Sequence, residues 1–428
     1  MQNTLPGTLL CLTSFLCTAG CKLPWNRPPA APTSRPELEI PTPDANFEVL
    51  AAFLGKSAGA VVLEGDPGSK VLVSPRLQGR LLTCKVGSVE STSFLDIATI
   101  VKGESDPRFN NFGGADRFWI YPEAGQFGLY FDPGTELDRK AWRVPLNLNK
   151  GSWTTTSGDA SHLAMTRDLE VRNYMETQFN VQAERAVFVI QASSLPSELG
   201  VKLPEGVAFA GAATRNVLLN VGSRAWTLDG GLIGIWIVGT FKASDSTAII
   251  APFRPGTEKD LGHAFNDEYF GKVSVEAPER LKVVKNAVVM KADARHVSKF
   301  GISQQRTTGL AGAIDFGRSL LTIVKFTVPP VPERYGNSTW VKDQPEPFRG
   351  DAFQSYNHGP SETRSNAIAE APFFELSSTS PVRPLQPGEA ITHWHTTYHF
   401  QGQLTKLTTI ARQILGVELV AVRDALRM

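Results

Sequence analysis

FFELSSTSPVRPLQPGEAITHWHTTYHF, residues Phe373 to Phe400, is the stretch on which the reading of this chain turns. It opens on a short apolar run and passes through Pro381, Pro384, Pro387 and Gly388. It closes on a second run that holds His393, His395 and His399, three of the seven histidines. Proline and glycine punctuate a chain, so the pattern predicts two strands separated by a turn-rich connection. Side chains alternate across a strand, which puts His393, His395, Thr397 and His399 on one face. Trp394, Thr396, Tyr398 and Phe400 take the other. One face is titratable and the other mostly aromatic. Imidazole has the proton affinity nearest neutral pH, and Glu375 lies upstream on the neighbouring strand, so the stretch predicts a polar site.

The same punctuation recurs along the chain. Val61–Leu63, Val71–Val73, Ala186–Gln191, Asn216–Val221, Ile235–Phe241, Ala248–Pro252, Val283–Met290 and Leu320–Val328 are short apolar or β-branched runs bounded by Gly, Pro, Asp and Asn. With 37 Gly and 29 Pro, long helices are scarce. The pattern predicts a mainly all-β chain, a large antiparallel sheet structure over residues 46–428. Two helices interrupt it. Phe47 to Leu54 forms a short one, and Leu404 to Leu415 carries Leu404, Leu407, Ile410, Ala411, Ile414 and Leu415 at helical spacing before Gly416 stops it.

Composition excludes some function classes. Of 428 residues, 43 are basic and 42 acidic, and no long run of either sign marks a nucleic-acid surface. The 42% apolar content suits a buried core rather than a disordered chain. At the N-terminus, Leu9 to Thr18 is apolar or small, and Thr18-Ala19-Gly20-Cys21 is similar to a bacterial lipoprotein processing site, although Met1 to Thr8 lacks Lys and Arg. Residues 1–20 then read as a signal peptide and Cys21 as the lipidated first residue. Residues 21–45 form a proline-rich spacer between membrane and domain. This places the protein outside the cytoplasm, held to a bacterial membrane by lipid alone. Cys84 is the one cysteine left, so no internal disulfide is expected.

A second informative segment is NNFGGADRFWIYPEAGQFGLYF, Asn110 to Phe131. Gly113-Gly114 permits a tight turn or a close backbone approach, and it delivers Asp116, Arg117 and Trp119 where a strand begins. Arg117 offers a planar fork of donors, and Trp119 a flat apolar face of the kind that stacks on a sugar ring. The competing reading makes Trp119 core and pairs Arg117 with Asp116 or Glu123.

Taken together, Gly113-Gly114 with Arg117, Trp119 and Pro122-Glu123, then Tyr356-Asn357, Gly359-Pro360, Phe374-Glu375-Leu376, Ser380-Pro381, Pro387-Gly388-Glu389 and the His393–His395 strand resemble a bacterial lipoprotein group related to galactose mutarotase-like proteins. The blocks run in order between Val61 and Gly416. The resemblance implies a β-supersandwich with a concave sheet face that binds sugars. In mutarotases a glutamate on a late strand takes the anomeric hydroxyl proton and a histidine protonates the ring oxygen. By resemblance Glu375 is the base and His395 or His393 the acid, while Arg117, Trp119, Asn357 and His399 contact a carbohydrate. The mutarotase histidine lies mid-chain, whereas this cluster is C-terminal.

Two rivals stand beside a carbohydrate-active enzyme. One is a non-catalytic glycan-binding or structural lipoprotein. The other is a cupin-like metal site, since His393 and His395 at i and i+2 are spaced as cupins space two ligands of a divalent cation. His399 lies about 13 Å beyond His395 along a strand. With metal–nitrogen bonds of about 2 Å, a third ligand must then come from Glu375, Glu389 or His358. No further cofactor is expected. His162, His263 and His296 stand alone, Asp315 and Arg318 read as a surface ion pair, and neither a phosphate-binding loop nor a nucleophile elbow occurs.

Overall fold

Helix Phe47–Ala58 begins where Asn46 lends its side-chain oxygen to the Glu48 N–H, 2.8 Å away, and ends at Gly59 in the left-handed region, φ 61°. From there the chain is almost wholly antiparallel β. The computed structural model describes residues 39–42, 45–269, 272–360 and 372–428. The predicted signal peptide, Cys21 and nearly all of the spacer lie outside these residues. Residues Ile40–Met428 form one compact unit.

In chain order the strands are β1 (Val61–Glu64), β2 (Ser69–Ser74), β3 (Arg80–Val86), β4 (Arg117–Tyr121), β5 (Thr154–Gly158), β6 (His162–Arg172), β7 (Gln178–Ile190), β8 (Ala208–Asn220) and β9 (Gly234–Lys242). They continue as β10 (Thr247–Pro252), β11 (Leu281–Val284), β12 (Ala287–Lys291), β13 (Ser298–Ser303), β14 (Leu310–Asp315), β15 (Leu320–Phe326), β16 (Asp351–Asn357), β17 (Phe373–Thr379) and β18 (Ala390–Gln401). Three sheets result. The largest has the order β11-β12-β10-β14-β15-β18-β8-β7-β6-β5, the second β13-β16-β17-β9-β4, and the smallest β1-β2-β3.

The second sheet lies on the central part of the largest one. Ser378 of β17 meets His393 and His395 of β18, Phe353 of β16 stacks on Phe326 of β15, and the Phe241 ring of β9 meets His399. Side-chain alternation then divides every strand of the second sheet. Phe300, Phe353, Leu376, Ser378, Ile237 and Phe118 face inward, and the residues between them face away from the large sheet. On the far side of the large sheet, helix Leu404–Leu415 buries Leu407, Ile410, Ala411, Ile414 and Leu415 in a cluster with Tyr398 and Phe400. Its bounds are those its apolar spacing predicts, and Gly416 takes φ 71°.

One expected strand divides. Val283–Met290 contains a tight turn at Lys285, φ 53°, and Asn286, which folds β11 back on β12 with Val284 opposite Ala287. The polar pair Lys285-Asn286 interrupts the apolar run at its centre, and the reading of one continuous strand passes over that turn signal.

Candidate functional site

Alternation in β18 holds, but its functional consequence reverses. His393, His395 and His399 do share a face, and that face looks into the space between the sheets, where all three are completely buried. The Ser378 hydroxyl lies 2.8 Å from both His393 Nε2 and His395 Nδ1. His399 Nδ1 lies 2.9 Å from the Thr322 hydroxyl. Burial pulls His393 down to about 3, His395 to about 4 and His399 to about 3, so all three are neutral at physiological pH. They continue into a buried network in which Arg185 pairs with Asp116 and bonds Asn216, while Thr214 donates to Asp116 at 2.8 Å. Glu375 stands on the opposite face of β17 from Ser378. The sheet therefore separates Glu375 from these imidazoles, and an acid–base pair of Glu375 with His393 or His395 does not assemble. Nor does His399 reach a ligand.

The metal reading meets the same geometry. His393 and His395 converge on a hydroxyl, and among the described residues no group of three His, Cys, Asp or Glu side chains is placed to hold a metal ion. Asn357 is committed elsewhere: its Oδ1 accepts from the Ala294 N–H, and its Nδ2 donates to the His296 and His358 carbonyls. It is a buried clip between chain segments and not a ligand contact.

The structure does bring Glu375 to Arg117, on the outer face of the second sheet. β17 is flanked by β16 and β9, and β9 by β4, so Tyr356 and Thr240 lie opposite Glu375, with Val238 opposite Arg117 and Trp236 opposite Trp119. Arg117 Nη2 donates to Glu375 Oε1 at 2.6 Å. The partner expected from sequence was Asp116 or Glu123. Asp116 instead faces inward to Arg185, and Glu123 pairs with Lys299 at 2.8 Å. Gly113 makes this division possible. It has φ 77°, and a Cβ there would come 2.2 Å from the Phe94 carbonyl oxygen, so only glycine lets the chain turn into β4 with Asp116 inside and Arg117 outside.

Trp119 is 3% exposed and lies in a cluster with Phe109, Tyr130 and Trp236. The Arg117 guanidinium rests 4.0 Å from its ring centroid. The indole is thus the floor beneath Arg117 and not an open stacking platform. Burial lowers the proton affinity of Arg117, and the Glu375 carboxylate works against that fall. The cluster is held from the other side by Trp142, whose Nε1 donates to Glu123 Oε1 at 3.0 Å.

Sequence reasoning missed several members of this face. Trp236, Val238, Thr240 and Lys242 alternate with Ile237, Gly239 and Phe241, a visible period of two. Gln354 and Tyr356 do the same on β16. Lys299 had no such signal. Among the described residues, four buried polar atoms on this face have no hydrogen-bond partner: Arg117 Nε, Trp236 Nε1, Thr240 Oγ1 and Gln354 Oε1. His358 also belongs here. Its N–H bonds the Phe373 carbonyl and its ring stacks on Phe373 at 4.4 Å, while the Tyr356 hydroxyl lies 3.1 Å from its Nδ1.

Residues 45–426 match the model of a family described as a family of unknown function (DUF6786). The chain belongs to that family. No curated protein matches it. Among solved structures it is similar to a putative aldose 1-epimerase from Escherichia coli K12, at 13% identity and TM-score 0.45, covering 79% of this chain and 98% of that one. It is also similar to a galactose mutarotase-like protein from Lactobacillus casei, at 10% identity and TM-score 0.45, covering 80% of this chain and all of that one. The names of both belong to the galactose mutarotase-like class.

Proposed function

We propose that this protein binds a neutral carbohydrate on the outer face of its five-stranded sheet. The observation that carries the reading is the set of unpartnered buried polar atoms gathered around the Arg117–Glu375 pair. Arg117 Nε and Trp236 Nε1 donate, Gln354 Oε1 accepts, and the Thr240 hydroxyl does both. Sugar hydroxyls also donate and accept, so one polyol satisfies a mixed set that an anion or a cation does not. The buried cations Arg117 and Lys299 are already matched by Glu375 and Glu123, so a charged ligand finds no uncompensated partner there. Aromatic rings close around these groups and lower the local dielectric, which strengthens each hydrogen bond.

The test is titration calorimetry with glucose, galactose and mannose against wild type, Arg117→Lys and Gln354→Ala. Lysine lacks the fork and the Nε–H, so Arg117→Lys weakens binding by about tenfold or more. Affinity equal to wild type in both variants contradicts the proposal.

A second reading, acid–base chemistry on the sugar, is favoured by one observation: His358 and Glu375 share this face. Phe373 lies opposite His358, and Glu375 opposite Tyr356. In this reading Glu375 takes the anomeric proton and His358, oriented by Tyr356, serves the ring oxygen. Mutarotation followed by polarimetry separates it from binding alone. Localisation completes the proposal: Cys21 carries the lipid that holds the domain outside the cytoplasm.

A further inference from the structure

A separate cavity, of about 920 Å³, lies off the β13–β16 edge of the five-stranded sheet and shares no residue with the Arg117–Glu375 face. Six carboxylates line it: Glu258, Asp267, Glu268, Glu333, Glu346 and Asp351. The cations on the lining are fewer, Lys259, Lys272 and Arg349, beside the His263 imidazole. Lys272 pairs with Glu268, Arg349 with Glu346 at 3.0 Å, and Arg383 reaches Glu333 at 2.6 Å. His263 lies 3.3 Å from Glu258, both largely exposed. Asp267 and Asp351, 7% and 6% exposed, have no ion pair among the described residues.

Neutral donors hold both of these buried carboxylates in place. Asp351 Oδ2 accepts from the Tyr269 hydroxyl at 2.6 Å and from Asn266 Nδ2 at 3.1 Å, and Asp267 Oδ2 accepts from the Ser274 N–H at 2.7 Å. Gly301 of β13 leaves the room for this, since a Cβ there would come 2.3 Å from Asp351 Oδ2. Lys299, whose charge reaches Asp351, is already matched by Glu123 at 2.8 Å. Burial raises Asp351 to about 6. A buried carboxylate without a cation is costly, and a cationic ligand offsets that cost.

An independent feature of the cavity also points to a ligand. Tyr335 lines it, only 2% exposed, and its hydroxyl has no hydrogen-bond partner; the Ser303 hydroxyl on the same lining is likewise unpartnered. An ammonium group has three donors and no acceptor, so carboxylates and hydroxyls together complete it. Phe265 and Phe348, both partly buried on the lining, offer apolar surface to methylenes between two such groups. An anion meets an excess of carboxylate here. A metal ion is not matched either, because among the described residues no three His, Cys, Asp or Glu side chains are placed to hold one.

We infer that this cavity is a second binding site and that its ligand is a linear polyamine whose ammonium groups pair with Asp351 and Asp267. The site is independent of the carbohydrate reading of the first one.

The experiment is calorimetric titration of the protein at about 0.15 M salt with spermidine and putrescine, with 1,4-butanediol as the uncharged counterpart of putrescine, and with Mg²⁺. Wild type binds spermidine, and binds putrescine about tenfold or more tighter than butanediol. Asp351→Asn and Asp267→Asn, which keep the volume, each weaken spermidine about tenfold, and Tyr335→Phe weakens it severalfold. Arg117→Lys leaves it unchanged. Asp351→Asn also disturbs the Tyr269 and Asn266 contacts, so Asp267→Asn and Tyr335→Phe carry the test if that variant fails to fold. No binding of spermidine, equal affinity for putrescine and butanediol, or tighter binding of Mg²⁺ through the same carboxylates overturns the inference. So does amine binding that none of the three cavity variants weakens, or that Arg117→Lys weakens as much as they do.

Discussion

Lowering the pH from 8 to 5 should cost this fold about 5 kcal/mol, because three histidines are buried as neutral rings. An unfolded histidine titrates near 6.5, while the folded values are about 3 for His393 and His399 and about 4 for His395. The folded values lie below the unfolded one, so the unfolded chain takes up protons first as pH falls. Stability is then fully present above 6.5 and is lost progressively down to the folded values. At pH 5 each ring contributes a loss of about 2 kcal/mol, about 6 kcal/mol for the three. Asp351 opposes this. Burial raises it from 3.8 to about 6, so the folded chain binds its proton first and gains about 1 kcal/mol by pH 5. Urea unfolding at pH 8 and pH 5, followed by tryptophan fluorescence, measures the difference. His399→Asn removes one of the three rings, and its pH-dependent loss should be smaller than wild type by about 2 kcal/mol. Stability that is flat between the two pH values, or a His399→Asn variant with the wild-type slope, refutes the account of these residues as neutral structural groups.

Two further predictions concern the site and the anchor. If the acid–base reading holds, wild type accelerates mutarotation and both His358→Asn and Glu375→Gln lower the rate by about 10²-fold, whereas His393→Asn leaves the rate per folded molecule unchanged; no acceleration by wild type leaves binding alone. Cys21→Ser should abolish lipid labelling and release the protein from the membrane fraction, and normal retention of that variant contradicts the anchor.

How much of this was legible in the sequence differs by element. Helix Leu404–Leu415 was readable to the residue, because a one-sided apolar stripe and a stopping glycine are local facts. The β18 alternation was equally legible, but alternation says which side chains share a face and nothing about what that face meets. β18 lies in the middle of the largest sheet, covered by helices on one side and the second sheet on the other, so a titratable face became an interior one. Glu375 and Arg117 were each singled out in the sequence, but not as a pair, because their pairing spans 258 positions and depends on the order β17-β9-β4. Trp119 was ambiguous by type, and only the guanidinium lying on it decides that its ring supports Arg117. The early half of β8, AFAGAAT, is built of small residues with little β signature, and its place beside β18 comes from tertiary pairing.

The central claim is that the ligand lies on the outer face of the five-stranded sheet, and a crystal structure of the protein soaked with the tightest-binding sugar of the titration series tests it most directly. The account predicts sugar hydroxyls within hydrogen-bonding distance of Arg117 Nε and Gln354 Oε1, with His393 and His395 untouched. A sugar that contacts neither residue, or one lying on the outer face of the large sheet against Trp394, contradicts it.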